Sequence, residues 1–134
     1  MPGSRVRAAL LQTSLDYTVQ LHARQHAITA DEPGAAGGAD AGPRPFELAL
    51  AGLVSCTAIT LRMYAQRKQW TLGDIEVEAR IRKEGDAFVI DRSVAVNGSL
   101  SEEQRERLAE ICEKTPVTLL LKQGAVIGTT LRSG

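Results

Sequence analysis

PFELALAGLVSCTAITLRMYAQRK, from Pro45 to Lys68, reads as one helix that is apolar nearly all round, with Cys56 near its middle. Leu48, Leu50, Leu53, Val54, Ile59, Leu61 and Met63 fall on every side, so the pattern predicts a buried helix rather than a half-solvated one. The uncharged run from Leu48 to Leu61 is 14 residues long. A membrane span needs about 20. The expectation is therefore a soluble domain built around a helix that carries a thiol.

Outward from this helix the pattern alternates between strands and loops. Leu15, Tyr17, Val19 and Leu21 alternate with polar residues, the period of a half-buried strand, and His26 to Ala30 suggests a second short one. ADEPGAAGGADAGPRP then forms a long loop leading to the helix, of the kind that is functional or flexible in a small domain. Ile75, Val77, Ala79 and Ile81 make a strand with one wet face. Glu84-Gly85-Asp86 turns it, and Phe88, Ile90, Val94 and Val96 return as its hairpin partner. Ser101 with Gln104 is a capping box opening the helix SEEQRERLAEICEK. Pro116 either ends that helix or starts a second short one, VTLLLK, and Ala125 to Leu131 is expected as a closing strand. This order predicts an α+β class with an antiparallel sheet, in a single domain over residues 1–134.

Composition excludes several functions. Lys plus Arg and Asp plus Glu both number 16, leaving no net charge to attract nucleic acid or an acidic membrane surface. The first residues show no apolar targeting segment, so a cytoplasmic protein is expected. Two cysteines, Cys56 and Cys112, are too few for a disulfide scaffold. His22 and His26 lie on an alternating segment that would not bring them together as a helix does, and no metal or cofactor is expected. A helix apolar on all sides needs more cover than one sheet provides, which predicts a symmetric homodimer.

The pieces HAITADEP, GPRPFEL, CTA and TLRMYAQRK occur in this order, followed by Asp91-Arg92, the Ser101 helix and EKTPVTLLL. Together they resemble the OsmC/Ohr family of thiol-dependent peroxidases. The resemblance implies an antiparallel sheet packed on a long buried central helix, in an intertwined homodimer. It also implies reduction of organic hydroperoxides by a reactive cysteine, which a thiol reductant then restores. Cys56 stands at the position of the attacking cysteine. The family favours the thiolate with an arginine from the N-terminal strand region, held by a glutamate at the start of the helix, and the corresponding candidates are Arg24 and Glu47. Arg44 is a rival for the arginine. Arg62, on another helix face from Cys56, reads as structural.

Two departures bear on this resemblance. Glu47 precedes Cys56 by nine residues, which is roughly 13 Å of rise and two and a half turns, so the two face opposite ways on a straight helix. Such a carboxylate suits a partner subunit's cysteine better than its own. Ohr-type members place their glutamate one residue earlier, where Phe46 stands. The second departure concerns the resolving cysteine, which peroxidatic members carry in a Cys-Pro-Val run. Here Thr115-Pro116-Val117 stands in its place, and Cys112, three residues earlier, is either a stand-in or a core residue beside Leu108 and Ile111. Three readings follow: a thiol peroxidase, a non-catalytic dimer that binds a small apolar ligand, and a one-cysteine redox sensor.

Overall fold

The computed structural model of the chain describes residues 4–134, which form two compact units, one ending at Ala49 and the other spanning Leu50–Gly134. The first holds a three-stranded antiparallel sheet of β1 (Arg7–Ala9), β2 (Val19–Ala23) and β3 (His26–Ala30), in that order. Ala8 pairs with Leu21 and Leu21 with Ile28. The alternation from Leu15 predicts a longer β2 than is found. Leu15 to Thr18 instead form a turn, closed by the Thr18 N–H donating to the Leu15 carbonyl at 2.9 Å. β1 carries no alternating pattern and gains its strand geometry from pairing with β2.

The loop after β3 is held in place by Asp31. Its buried carboxylate accepts from the Thr18 hydroxyl at 2.9 Å, the Glu32 N–H at 2.7 Å and the Ala41 N–H at 3.1 Å. Burial alone would raise the pKa of this carboxyl, but these hydrogen bonds outweigh it and hold the group below the usual carboxylate range. Two glycines permit the tight path. A Cβ on Gly38 would sit 1.9 Å from the Glu32 carbonyl oxygen, and one on Gly42 would sit 2.1 Å from that of Thr29. Of the two expectations for this loop, functional or flexible, the structure speaks to the second, since Asp31 anchors it.

α1 (Pro45–Lys68) has the predicted bounds and is unbroken. Pro45 suits its first turn, where a missing N–H costs nothing. Within the second unit Leu53, Thr57, Leu61 and Ala65 form its buried stripe, spaced four apart. Leu61 and Ala65 pack with Leu72, Leu108 and Cys112 into the core, beneath Tyr64, Trp70, Ile75, Val94 and Val96. The opposite stripe is Ala51, Ser55, Ile59 and Met63, and all four are exposed. The expectation of burial on every side is thus met on one face only, because the single chain supplies one covering layer. By length and composition alone α1 is apolar enough to cross a membrane, with a mean hydropathy of 1.5 over an 18-residue window. The shortness inferred from its uncharged run does not hold for the whole helix. Of that window 22% is buried, by the stripe that packs into the core of the second unit.

β4 (Ile75–Glu84) and β5 (Ala87–Val96) form the predicted hairpin, with Val77 opposite Val94 and Ile81 opposite Ile90. Gly85 makes its turn at φ 58°. α2 (Glu102–Cys112) opens with the full capping box of Ser101 and Gln104, and α3 (Pro116–Gln123) follows with proline in its first turn. Residues 125–131 are not a strand, contrary to expectation. Val126, Ile127 and Leu131 are 103%, 85% and 98% exposed, and β propensity alone makes no strand where the segment pairs with no neighbour.

α1 ends in a Schellman motif. The Trp70 N–H donates to the Ala65 carbonyl at 2.8 Å and the Gln69 N–H to that of Gln66 at 3.2 Å, with Gln69 at φ 61°. A side chain in this left-handed region is strained where glycine is not. Gln69→Gly should therefore raise the unfolding free energy by about 1 kcal/mol in urea titration. A decrease would show that Gln69 makes compensating contacts.

Candidate functional site

Cys56 lies midway along α1, one residue before the buried Thr57, and its thiol is half-buried. The own-helix dipole is weak at this depth, which is why the sequence suggests that help for a thiolate must come from a cation. The structure supplies something else. The N-terminus of α3 meets the sulfur, with the Val117 N–H donating to Cys56 Sγ at 3.5 Å. Pro116 has no N–H, so Val117 offers the first free amide of that helix, where the positive end of the dipole favours an anion. Thr60, one turn further along α1, brings its hydroxyl to 3.9 Å from the same sulfur. One amide donor and one hydroxyl, both uncharged, therefore converge on Cys56.

Behind this pair of helices lies Arg92 of β5. Its side chain is 12% exposed. Nη1 donates to Thr57 Oγ1 at 2.9 Å and to Thr118 Oγ1 at 2.8 Å, while Nη2 donates to the Cys112 carbonyl at 2.8 Å and reaches Glu113 at 3.4 Å. Thr57 passes its own proton to the Leu53 carbonyl, and Thr118 lies 2.6 Å from the Thr115 hydroxyl. Glu113 is also paired with Lys122 at 2.6 Å, and the lysine's hydrogen bond, with Arg92 nearby, holds its carboxyl below the usual range.

Cys112 lies in the apolar core, where burial pushes its thiol pKa up and the nearby Arg92 only partly offsets the rise. Thr115 is fully buried and caps nothing with its side chain. The remaining candidates belong to other settings. Glu47 accepts from the Arg44 N–H at 2.9 Å, closing the first turn of α1, and Arg44 Nε is 3.5 Å from Glu32. Arg24 occupies the turn between β2 and β3 at φ 54°. Arg62 donates to the Leu72 and Gly73 carbonyls at 3.0 and 2.7 Å and secures the chain after α1, as its structural reading expects. His22 and His26 sit on β2 and β3 and are exposed, and no metal-holding cluster of His, Cys, Asp or Glu exists among the described residues.

The sequence reading gave no site role to Val117, Thr60 or Arg92, although Arg92 and Val117 lie in motifs that carry the resemblance. Thr60 was readable, being one turn from Cys56. So was Arg92, which occupies an inward position of β5 between Ile90 and Val94 where the alternation calls for an apolar residue. The approach of α3 spans 61 residues of sequence separation and leaves no local trace.

A core helix carrying a half-buried cysteine, flanked by an antiparallel hairpin and capped by the start of a later helix, defines an α+β cysteine protein. The model of the OsmC-like protein family matches residues 37–130, and the chain belongs to that family. Its fold is shared by an OsmC-like protein from Mycoplasma pneumoniae, at a TM-score of 0.75 and 20% identity over 90% of this chain and 87% of that one. The organic hydroperoxide resistance protein OsmC of Legionella pneumophila is similar at a TM-score of 0.64 and 15% identity, covering 89% and 88% of the two chains. The organic hydroperoxide resistance protein OhrB of Bacillus subtilis aligns at 0.59 and 20% identity, over 90% and 91%. No curated protein matches the chain.

The contrast between the two thiols predicts a labelling order. Iodoacetamide at pH 7.5 should modify the native protein at Cys56 alone, and Cys112 only after denaturation, as read by peptide mass. Rapid native labelling of Cys112 would contradict its place in the core.

Proposed function

We propose that the chain is a thiol-dependent peroxidase that reduces organic hydroperoxides at Cys56. The observation that carries this reading is the Val117 N–H donating to Cys56 Sγ at 3.5 Å from the start of α3. Amides at a helix N-terminus favour a thiolate over a thiol, and the thiolate is the nucleophile. It attacks the outer oxygen of the hydroperoxide. The O–O bond breaks, an S–O bond forms, and the alcohol leaves after taking up a proton. Sulfur loses two electrons and becomes a sulfenic acid. A small-molecule or protein thiol then condenses with it, releasing water, and a second thiol displaces Cys56 from the mixed disulfide. Cys112 serves as the resolving thiol only if the core around it opens. Apolar neighbours along α1 favour bulky hydroperoxides over hydrogen peroxide.

The same proposal makes the protein a soluble, cytoplasmic, intertwined homodimer. Ile59 and Met63, 59% and 52% exposed, would be covered by a second copy, and the apolar tail around Ile127 would pair with its sheet. In this arrangement Arg24 and Glu47 act on the partner's cysteine, the arginine favouring the thiolate and the glutamate orienting it. A second reading, a non-catalytic dimer binding a small apolar molecule, draws on a cleft of about 410 Å³ whose apolar lining is Leu53, Phe88, Ile90 and Leu121, beside the polar Arg92, Glu113, Thr118 and Lys122.

Stopped-flow oxidation by cumene hydroperoxide tests the chemistry. The expected result is rapid consumption that Cys56→Ser abolishes and that exceeds the rate with hydrogen peroxide. Equal inertness of both proteins would favour the ligand-binding reading. Arg24→Gly suits the left-handed turn and should keep the fold while slowing the reaction by roughly a hundredfold. An unchanged rate would remove Arg24 from the site. Light scattering at micromolar concentration should give twice the 14.4 kDa chain mass, and a monomer would rule out the shared site.

A further inference from the structure

We propose that Arg92 is a positioning residue of the Cys56 site, acting through the two threonines that follow the sulfur and its amide partner. The inference rests on the thiol reading of Cys56 given above and adds a residue to it. Three observations combine. First, Arg92 projects from the inward face of the β4–β5 hairpin, opposite Ala79, where Ile90, Val94 and Val96 are its neighbours. An arginine in such a row loses hydration and is retained only if its donors find acceptors. Second, its Nη1 and Nη2 atoms make four contacts, two each, so the orientation of the guanidinium plane is fixed. Third, those contacts fall at informative places. Thr57 directly follows Cys56 on α1, and Thr118 directly follows Val117 on α3. The Cys112 carbonyl ends α2.

One guanidinium therefore ties the residue after the sulfur to the residue after the amide that faces it. The 3.5 Å approach of the Val117 N–H to Cys56 Sγ depends on the relative placement of α1 and α3, and Arg92 is the group that spans them. The charged and titratable groups around the clamp are Arg92 itself from β5, Arg105 and the Cys112 thiol from α2, Glu113 just past α2, and Lys122 from α3, which is paired with Glu113. Arg92 touches neither sulfur nor substrate. It acts by holding α3 so that its free amide meets the thiolate, and it neutralises the carbonyl end of α2 in the same place.

The rate of iodoacetamide alkylation at Cys56, followed by peptide mass from pH 6 to 10.5, tests this without any hydroperoxide. Arg92→Met should slow alkylation about tenfold at pH 7, the worth of one hydrogen bond to a charged group, and converge with the native protein at the highest pH. Thr118→Val removes only the link to α3 and should shift the profile in the same direction. Arg92→Lys restores charge but not the fork, so it should recover the native profile only in part. A native pH 7 rate in folded Arg92→Met or in Thr118→Val overturns the proposal. Full recovery in Arg92→Lys does so too, because charge alone would then suffice. If Arg92→Met does not fold, the threonine and lysine variants decide. A native protein that ignores hydroperoxide while these variants still shift the alkylation profile would defeat the peroxidase reading and leave the clamp standing.

Discussion

An amide at the start of one helix meeting a sulfur in the middle of another is the interaction on which the candidate site depends. Neither partner has much meaning alone. A cysteine midway along an apolar helix gains little from the dipole of its own helix. A helix that starts with proline leaves its next N–H unpaired, which is a cost if buried and an asset if an anion sits in front of it. The fold brings the two together by placing Val117 against Cys56. What fixes that placement is polar: Thr57, Thr118, Thr115 and Arg92 form one network between α1, α3 and β5. Among the described residues no buried side-chain polar atom in the protein is left without a partner. A fully satisfied network of this kind specifies one arrangement more sharply than apolar packing would.

A second constraint runs along the same helix. α1 has an apolar stripe buried in its own unit and an uncharged stripe on the other side, with Cys56 between them. The first stripe fixes the helix in the core. The second has no cover within one chain. A cysteine on the border between a packed face and an apolar exposed one is sheltered from bulk water yet open to a ligand or a second subunit from one side. This geometry connects the proposed chemistry to the proposed assembly.

Much of the fold was legible because it is written in local periods. The bounds of α1, the β4–β5 hairpin and the capped α2 follow from apolar spacing and end signals within each segment. Misreadings occurred where pairing decides the outcome. The alternation at Leu15 and Tyr17 is real, but a turn claimed those residues. The segment around Ile127 has strand chemistry but no ladder in the single chain. At the site, Cys56 was legible from its unusual setting and its surrounding motif. The α3 amide was not, because backbone donors carry no sequence signature and the contact joins distant segments. Arg92 had a signal in its break of the inward apolar row. Glu47 has a local task at the start of its helix, accepting from the Arg44 N–H.

The central claim, that Cys56 is the thiol made reactive by this fold, is tested most directly by mapping the first oxidation product. The reduced protein is treated with one equivalent of an organic hydroperoxide in the presence of dimedone and digested for peptide mass. The predicted result is a dimedone adduct on Cys56, the mark of a sulfenic acid, with Cys112 unmodified and no Cys56–Cys112 disulfide. An adduct on Cys112, or an unmodified Cys56 under excess hydroperoxide, would contradict the claim.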